Sequence, residues 1–123
     1  MKEFPYEIDY YVSEDGRKPF KEWLEHLRDV RGRAKLRIRL DRVRLGNFGD
    51  SRSVGEGVNE LRVDYGPGYR IYFGQDGARL ILLLIGGDKS SQNKDIVRAK
   101  ELWRDHKERK KYYESDIISK RSD

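Results

Sequence analysis

The chain reads Val58-Asn59-Glu60-Leu61-Arg62-Val63-Asp64-Tyr65, then Gly66-Pro67-Gly68, then Tyr69-Arg70-Ile71-Tyr72-Phe73. After Gln75-Asp76-Gly77 it resumes as Arg79-Leu80-Ile81-Leu82-Leu83-Leu84-Ile85. In the first two runs branched and aromatic residues alternate with charged ones, the period-two pattern of half-buried strands. Gly66-Pro67-Gly68 breaks the first pair. Asp76-Gly77 supplies the positive backbone angles that a tight turn needs between the second run and the third. The three runs therefore predict an antiparallel meander. The third is apolar at every position from Leu80 to Ile85, which predicts a central strand covered on both faces.

Upstream, Phe4 to Val12 is rich in aromatic and β-branched residues and stops at Glu14-Asp15-Gly16, predicting a strand and a turn. Pro19 suits the first turn of a helix, and Trp23, Leu24, Leu27 and Val30 recur at helical spacing as its buried stripe. Gly32 interrupts before a second basic segment, Arg33 to Leu45. There Ala34, Leu36, Ile38 and Leu40 alternate as a strand would. Yet Leu36, Leu40 and Val43 make a helical stripe, the composition favours a helix, and Gly46-Asn47 stops it. Helix is the reading taken. Asn47 to Glu56 is predicted to be a polar loop.

Downstream, Gly86-Gly87-Asp88-Lys89 ends the third strand, and Ser90 or Ser91 can cap a helix whose buried face is Ile96, Ala99, Leu102 and Trp103. The predicted order is strand, helix, helix, three-stranded antiparallel meander, helix: an α+β domain with helices packed on a twisted antiparallel sheet. It is assigned to residues 1–106, with 107–123 as a charged extension whose last residues are expected to be disordered.

A chain of 123 residues accommodates one such domain. Its longest apolar run is six residues, Leu80 to Ile85, against the roughly 20 needed to cross a bilayer, so no membrane span is expected. The start, Met1-Lys2-Glu3-Phe4-Pro5, has no apolar signal core, and there is no cysteine, so cytoplasmic residence is the expectation. The net charge of +5 is uneven. Residues 17–45 hold eleven cations against four acids, and residues 62–111 twelve against seven, whereas residues 1–16 are acidic. A basic body attracts polyanions, of which RNA is the commonest in cytoplasm.

Alternation along the meander puts Leu61, Val63, Tyr69, Ile71 and Phe73 toward the helices. Arg62 and Arg70 then project from the opposite, outer face of adjacent strands, with Tyr72 beside them. Two neighbouring guanidiniums suit a phosphate, to which each planar fork donates two hydrogen bonds. The alternative is that they form solvated ion pairs with Glu60, Asp64 or Glu56. Lys89 adds a third cation between the last strand and the start of a helix, where free N–H groups favour an anion. Neither a phosphate-binding Gly-x-x-x-x-Gly-Lys-Ser/Thr loop nor a Gly-x-Gly-x-x-Gly turn follows a strand. His26 and His106 stand far apart and make no metal-ligand pattern. Tyr72 and Tyr69 either stack on bases or serve as ordinary sheet tyrosines.

Taken together, Asn59-Glu60-Leu61-Arg62-Val63, Gly68-Tyr69-Arg70-Ile71-Tyr72-Phe73, Leu82-Leu83-Leu84-Ile85-Gly86-Gly87-Asp88-Lys89-Ser90-Ser91-Gln92 and Asp95-Ile96-Val97-Arg98-Ala99 resemble the RelE/ParE superfamily of toxins. The nearest likeness is the HigB-like, phage-derived "addiction module killer" branch, over residues 4–106. The resemblance implies a RelE-like fold and the toxin of a type II toxin–antitoxin pair. Its activity would be ribosome-dependent, metal-independent cleavage of mRNA by 2′-hydroxyl attack, with no cofactor. Its partners would be a HigA-like helix-turn-helix antitoxin, the ribosome and mRNA. Arg70 matches the catalytic arginine of such toxins, Lys89 falls where they place another cation, and Arg62 lies near a basic position. Tyr72, Tyr69, Lys35, Arg37, Arg39 and Lys94 are the implied RNA contacts. Where several members carry a tyrosine or histidine, this chain has Gln92-Asn93-Lys94-Asp95, which leaves the general base unassigned and Lys89 as its candidate. The same scaffold also serves ParE-like toxins that poison a protein such as gyrase, and inactive relics that only bind antitoxin.

Overall fold

A computed structural model of the chain describes residues 4–121. It is an α+β fold with one five-stranded mixed sheet as the middle of three layers. Strand β1 (Glu7–Tyr10) is followed by helices α1 (Pro19–His26) and α2 (Val30–Arg44), then β2 (Ser51–Gly55), β3 (Val58–Val63), β4 (Tyr69–Asp76) and β5 (Leu80–Gly87). A single 3₁₀ turn, Lys89–Ser91, leads into α3 (Gln92–Arg121). The strands lie in the order β1-β5-β4-β3-β2, with β1 parallel to β5 and every other pair antiparallel.

Local chemistry accounts for most of these elements. Pro19 occupies the start of α1, where a missing N–H costs nothing. Asp29 caps α2, its side chain accepting from the Gly32 N–H at 2.9 Å. Segment 33–45 is thus helical, and Leu36, Leu40 and Val43 are buried as the helical stripe requires. Two details differ from expectation. Val30 begins α2 and is 65% exposed rather than ending the buried face of α1. Gly32 lies within the first turn of α2, pressed against Asp29 and the Tyr69 ring, rather than between two helices.

The expected polar loop from Asn47 to Glu56 contains a strand, β2. Its residues are mostly exposed, and it pairs along β3 through backbone hydrogen bonds. An edge strand of this kind needs no apolar alternation, so the sequence carries little trace of it. The meander β3-β4-β5 is present, and β5 is interior, flanked by β1 and β4. No helix is long and apolar enough to cross a membrane among the described residues.

Two cores flank the sheet. On one face, Phe20, Leu24, Leu36, Leu40 and Val43 of α1 and α2 pack on Leu61, Ile71, Phe73, Ile81 and Leu83. On the other, Ala99, Leu102 and Trp103 of α3 pack on Val58, Tyr72, Leu82 and Leu84. This second layer corrects the expectation of an open outer face: α3 lies over the side that carries Glu60, Arg70 and Tyr72. Gly74 makes the close approach possible, since a Cβ there would stand 2.4 Å from the Trp103 ring. Helix α3 continues without a break through His106 to Arg121, so the boundary between domain and extension falls inside one helix; of the last few residues, for which disorder is expected, 122–123 lie outside the described residues.

Candidate nucleic-acid interface

Strand register sets the site. Arg62 of β3 stands directly opposite Arg70 of β4, and Arg70 directly opposite Gly87 of β5. Opposed residues of antiparallel strands share a face, so the two positions are neighbours on the α3 side, although the Arg62 guanidinium turns to Asp50 and also lines the groove between α2 and β3. Lys89 follows two residues after Gly87, and its backbone N–H donates to the Pro67 carbonyl at 3.4 Å, pinning it to the β3–β4 turn. The three nominated cations thus come from separate segments to one end of the sheet.

They differ sharply in environment. Arg62 is exposed, and its Nε and Nη2 donate to Asp50 Oδ1 at 3.3 and 3.2 Å. Lys89 is exposed and has no carboxylate at ion-pair distance among the described residues. Arg70 is only 8% exposed. Its Nη1 lies 3.9 Å from Glu60 Oε1, an electrostatic pair beyond hydrogen-bond range. Its Nε is buried with no hydrogen-bond partner among the described residues.

The Arg70 partner is the most enclosed acid among the described residues. Glu60 is 0% exposed and accepts from Tyr72 Oη at 2.9 Å, Gln92 Nε2 at 3.1 Å and Arg52 Nε at 3.0 Å. Burial opposes its ionisation, but the hydrogen bonds from Arg52, Gln92 and Tyr72 outweigh burial and hold its carboxyl below the ordinary glutamate range. Asp95, in the first turn of α3, accepts from Ser91 Oγ and sits against Gly87, the register partner of Arg70, where no Cβ would fit. Burial pushes the Asp95 carboxyl up.

The tyrosines are not placed to stack on bases. Tyr72 is fully enclosed in the α3 core, with its hydroxyl committed to Glu60, and burial pushes that hydroxyl up. Tyr69 faces the opposite core and donates to Asp29 Oδ2 at 2.7 Å; burial, with Asp29, raises it to about 12. Of the other implied RNA contacts, Lys35 and Arg39 line one groove of about 420 Å³ between α2 and β3, together with Arg42 and Arg62. Arg39 is largely buried there, its Nη2 donating to the Asp50 carbonyl at 3.3 Å, while the Lys35 ammonium lies 4.9 Å from the Tyr65 ring centroid. Arg37 is exposed but lies outside that groove, and Lys94 is exposed in the first turn of α3.

No family model matches the chain. A protein of Haemophilus influenzae Rd, described as uncharacterized, is 49% identical over 83 residues, which cover 68% of this chain and 84% of that one. The chain belongs to the family of that protein. Membership brings a shared sequence and no named activity, so any activity ascribed to the family rests on geometry.

Three residues that the geometry makes prominent, Arg52, Gln92 and Asp95, carried no sequence signal of a role. Arg52 sits on the unrecognised strand, and Gln92 and Asp95 meet the sheet only because α3 folds back over it. Glu60, one of three acids that the ion-pair alternative places in solvent, is buried instead, since its face is covered. The histidines serve elsewhere: His26 Nδ1 lies 2.6 Å from the Glu22 carbonyl, and His106 Nε2 lies 2.8 Å from Asp76 Oδ2. Among the described residues no group of three or more histidine or acidic side chains is placed to hold a metal ion.

Proposed function

We propose that this protein is a RelE-like toxin of a type II toxin–antitoxin pair and cleaves mRNA on the ribosome. The observation that carries the reading is that Arg62, Arg70 and Lys89 come from separate segments to one end of the sheet, with the Arg70 Nε buried and unpartnered among the described residues. A buried donor left without an acceptor is costly, and a phosphate oxygen would satisfy it. In the reaction, the 2′-oxygen bonds to the adjacent phosphorus and the P–O5′ bond breaks, giving a 2′,3′-cyclic phosphate. The proton leaves the 2′-hydroxyl for a base, and the 5′-oxygen takes one up. Arg70 and Arg62 stabilise the added charge on phosphorus, and Lys89 is the exposed candidate for proton transfer. Ribosome binding would supply orientation. A small antitoxin, HigA-like in the resemblance, would mask this basic end, in a cytoplasmic setting.

A second reading has its own observation. Arg62 is already paired with Asp50, and Arg70 with Glu60. Such pairs suit a non-nuclease, ParE-like toxin directed at a protein, or an antitoxin-binding relic. Induced expression followed by mapping of mRNA 5′ ends decides between them. Cleavage inside translated codons that disappears in Arg70→Ala and in the exposed-site variant Lys89→Ala supports the nuclease. Intact message with damaged DNA, or no toxicity at all, overturns it.

A further inference from the structure

Beyond the arginine end of the sheet, a second set of cations follows the flank of α3. Lys100, Arg104 and Lys107 are spaced four and three residues apart, so they form one stripe. With Glu56 and Gly57 they line a cleft of about 270 Å³ beside the turn between β2 and β3. Among the described residues, one carboxylate serves this stripe. Glu56 Oε2 lies 3.7 Å from Lys100 Nζ, and Glu56 Oε1 lies 3.4 Å from Arg104 Nη2. The Lys107 ammonium stands 5.9 Å from the Trp103 ring centroid. Glu56 holds φ at +54°, the one non-glycine residue with positive φ among the described residues.

We propose that this stripe is a track for the phosphates of a single-stranded RNA whose reacting linkage lies at Arg70; the inference rests on the nuclease reading. Continuity supports it. Arg52 stands on the same β2 edge, bonded to Glu60, and Gln92 at the start of α3 bonds to the same carboxylate. From Gln92 the helix rises about 12 Å to Lys100 and about 22 Å to Lys107, at 1.5 Å per residue. A chain leaving the arginines therefore meets Lys100, Arg104 and Lys107 in turn along one side of α3, the first of them about 12 Å beyond Gln92. The lining also argues for nucleic acid over protein. The cleft offers charge and backbone but no exposed aromatic or aliphatic anchor, the feature that dominates protein interfaces. Glu56 acts as the built-in competitor that an RNA phosphate displaces.

The test is fluorescence anisotropy of a labelled, non-cleavable RNA about nine nucleotides long, titrated across a range of salt. Each phosphate contact contributes about 0.7 to the slope of log affinity against log salt, so at about 0.1 M salt each is worth about fivefold. The triple variant Lys100→Gln, Arg104→Gln, Lys107→Gln is expected to flatten the slope by about 2 and to weaken binding about 100-fold. The single variant Arg104→Gln, at a well-exposed side chain, is expected to weaken it about fivefold. Glu56→Gln is expected to tighten binding by a similar factor, a gain that damaged folding does not produce. An unchanged slope in the triple variant, or no tightening in Glu56→Gln, overturns the track. So does a poly-glutamate peptide of equal charge displacing the RNA better than unlabelled RNA does, which makes the occupant an acidic protein. Binding that follows these slopes in a protein that cleaves nothing refutes the nuclease and keeps the track; normal cleavage by a protein whose RNA affinity ignores the stripe does the reverse.

Discussion

Replacing Glu60 with alanine tests whether the arginine end of the sheet is organised around one buried carboxylate. The side chain is fully enclosed and receives three hydrogen bonds, from β2, β4 and α3, besides the charge of Arg70 at 3.9 Å. Arg52 is half exposed and returns to water when the acid is gone. Arg70 and Tyr72 cannot. Removing one partner of a buried pair costs about 3–5 kcal/mol, because the other charge stays buried and unpaired. Urea denaturation is the assay. With a slope of about 2 kcal/mol per molar for a chain of this size, the midpoint should fall by about 2 M. The double variant Glu60→Leu, Arg70→Met removes both charges, and it should be more stable than Glu60→Ala, with the unsatisfied Tyr72 hydroxyl still costing about 1–3 kcal/mol. Because its donors hold the Glu60 carboxyl below its ordinary value of 4.5, its contribution is complete above that pH and fades as acid protonates the folded protein. A loss below about 1 kcal/mol in Glu60→Ala, or a double variant less stable than the single one, would refute the reasoning.

Asp95 should show the opposite pH dependence. Burial raises its carboxyl, so folding loses stability as pH climbs through the ordinary aspartate value of 3.8 toward the folded one. Asp95→Asn should therefore be more stable than the parent at pH 7 and equal to it in strong acid; an advantage that grew in acid would contradict this. Gly74→Ala places a Cβ 2.4 Å from the Trp103 ring, and should cost about 1–3 kcal/mol with a shifted tryptophan emission. A variant within about 0.5 kcal/mol of the parent would mean that α3 can ride up from the sheet at no cost.

Local patterns made most elements legible, and what they missed is non-local. The Asp76-Gly77 turn, the apolar run of β5 and the stripe Leu36, Leu40, Val43 each encode their own structure within a dozen residues. Strand β2 does not, because Ser51 to Gly55 is held by the β3 backbone and presents nearly all its side chains to solvent. The alternation of Glu60 with Leu61 and of Arg70 with Ile71 correctly separates two faces. It cannot say that the charged face is covered, since the cover arrives with Ala99, Leu102 and Trp103 some thirty residues later. Hence the same reading that brought Arg62 beside Arg70 also placed Tyr72 where a base could reach it, and burial reverses the second conclusion while leaving the first.

The covering helix also divides the labour among the three cations. An exposed pair such as Arg62–Asp50 is worth about 0–1 kcal/mol, so an incoming anion displaces Asp50 at small cost. Lys89 is exposed and offers a mobile point charge that suits any anion. Neither can tell a phosphate from a carboxylate. Arg70 differs from both: its guanidinium is enclosed, with Nη1 3.9 Å from Glu60 Oε1 and its own Nε without an acceptor among the described residues. On the proposed nuclease reading, a tetrahedral phosphate with several oxygens would engage Arg70 and the two exposed cations together more readily than a flat carboxylate with two. On that reading, discrimination at this end of the sheet would depend on the buried arginine, and the two exposed cations would set affinity and its sensitivity to salt.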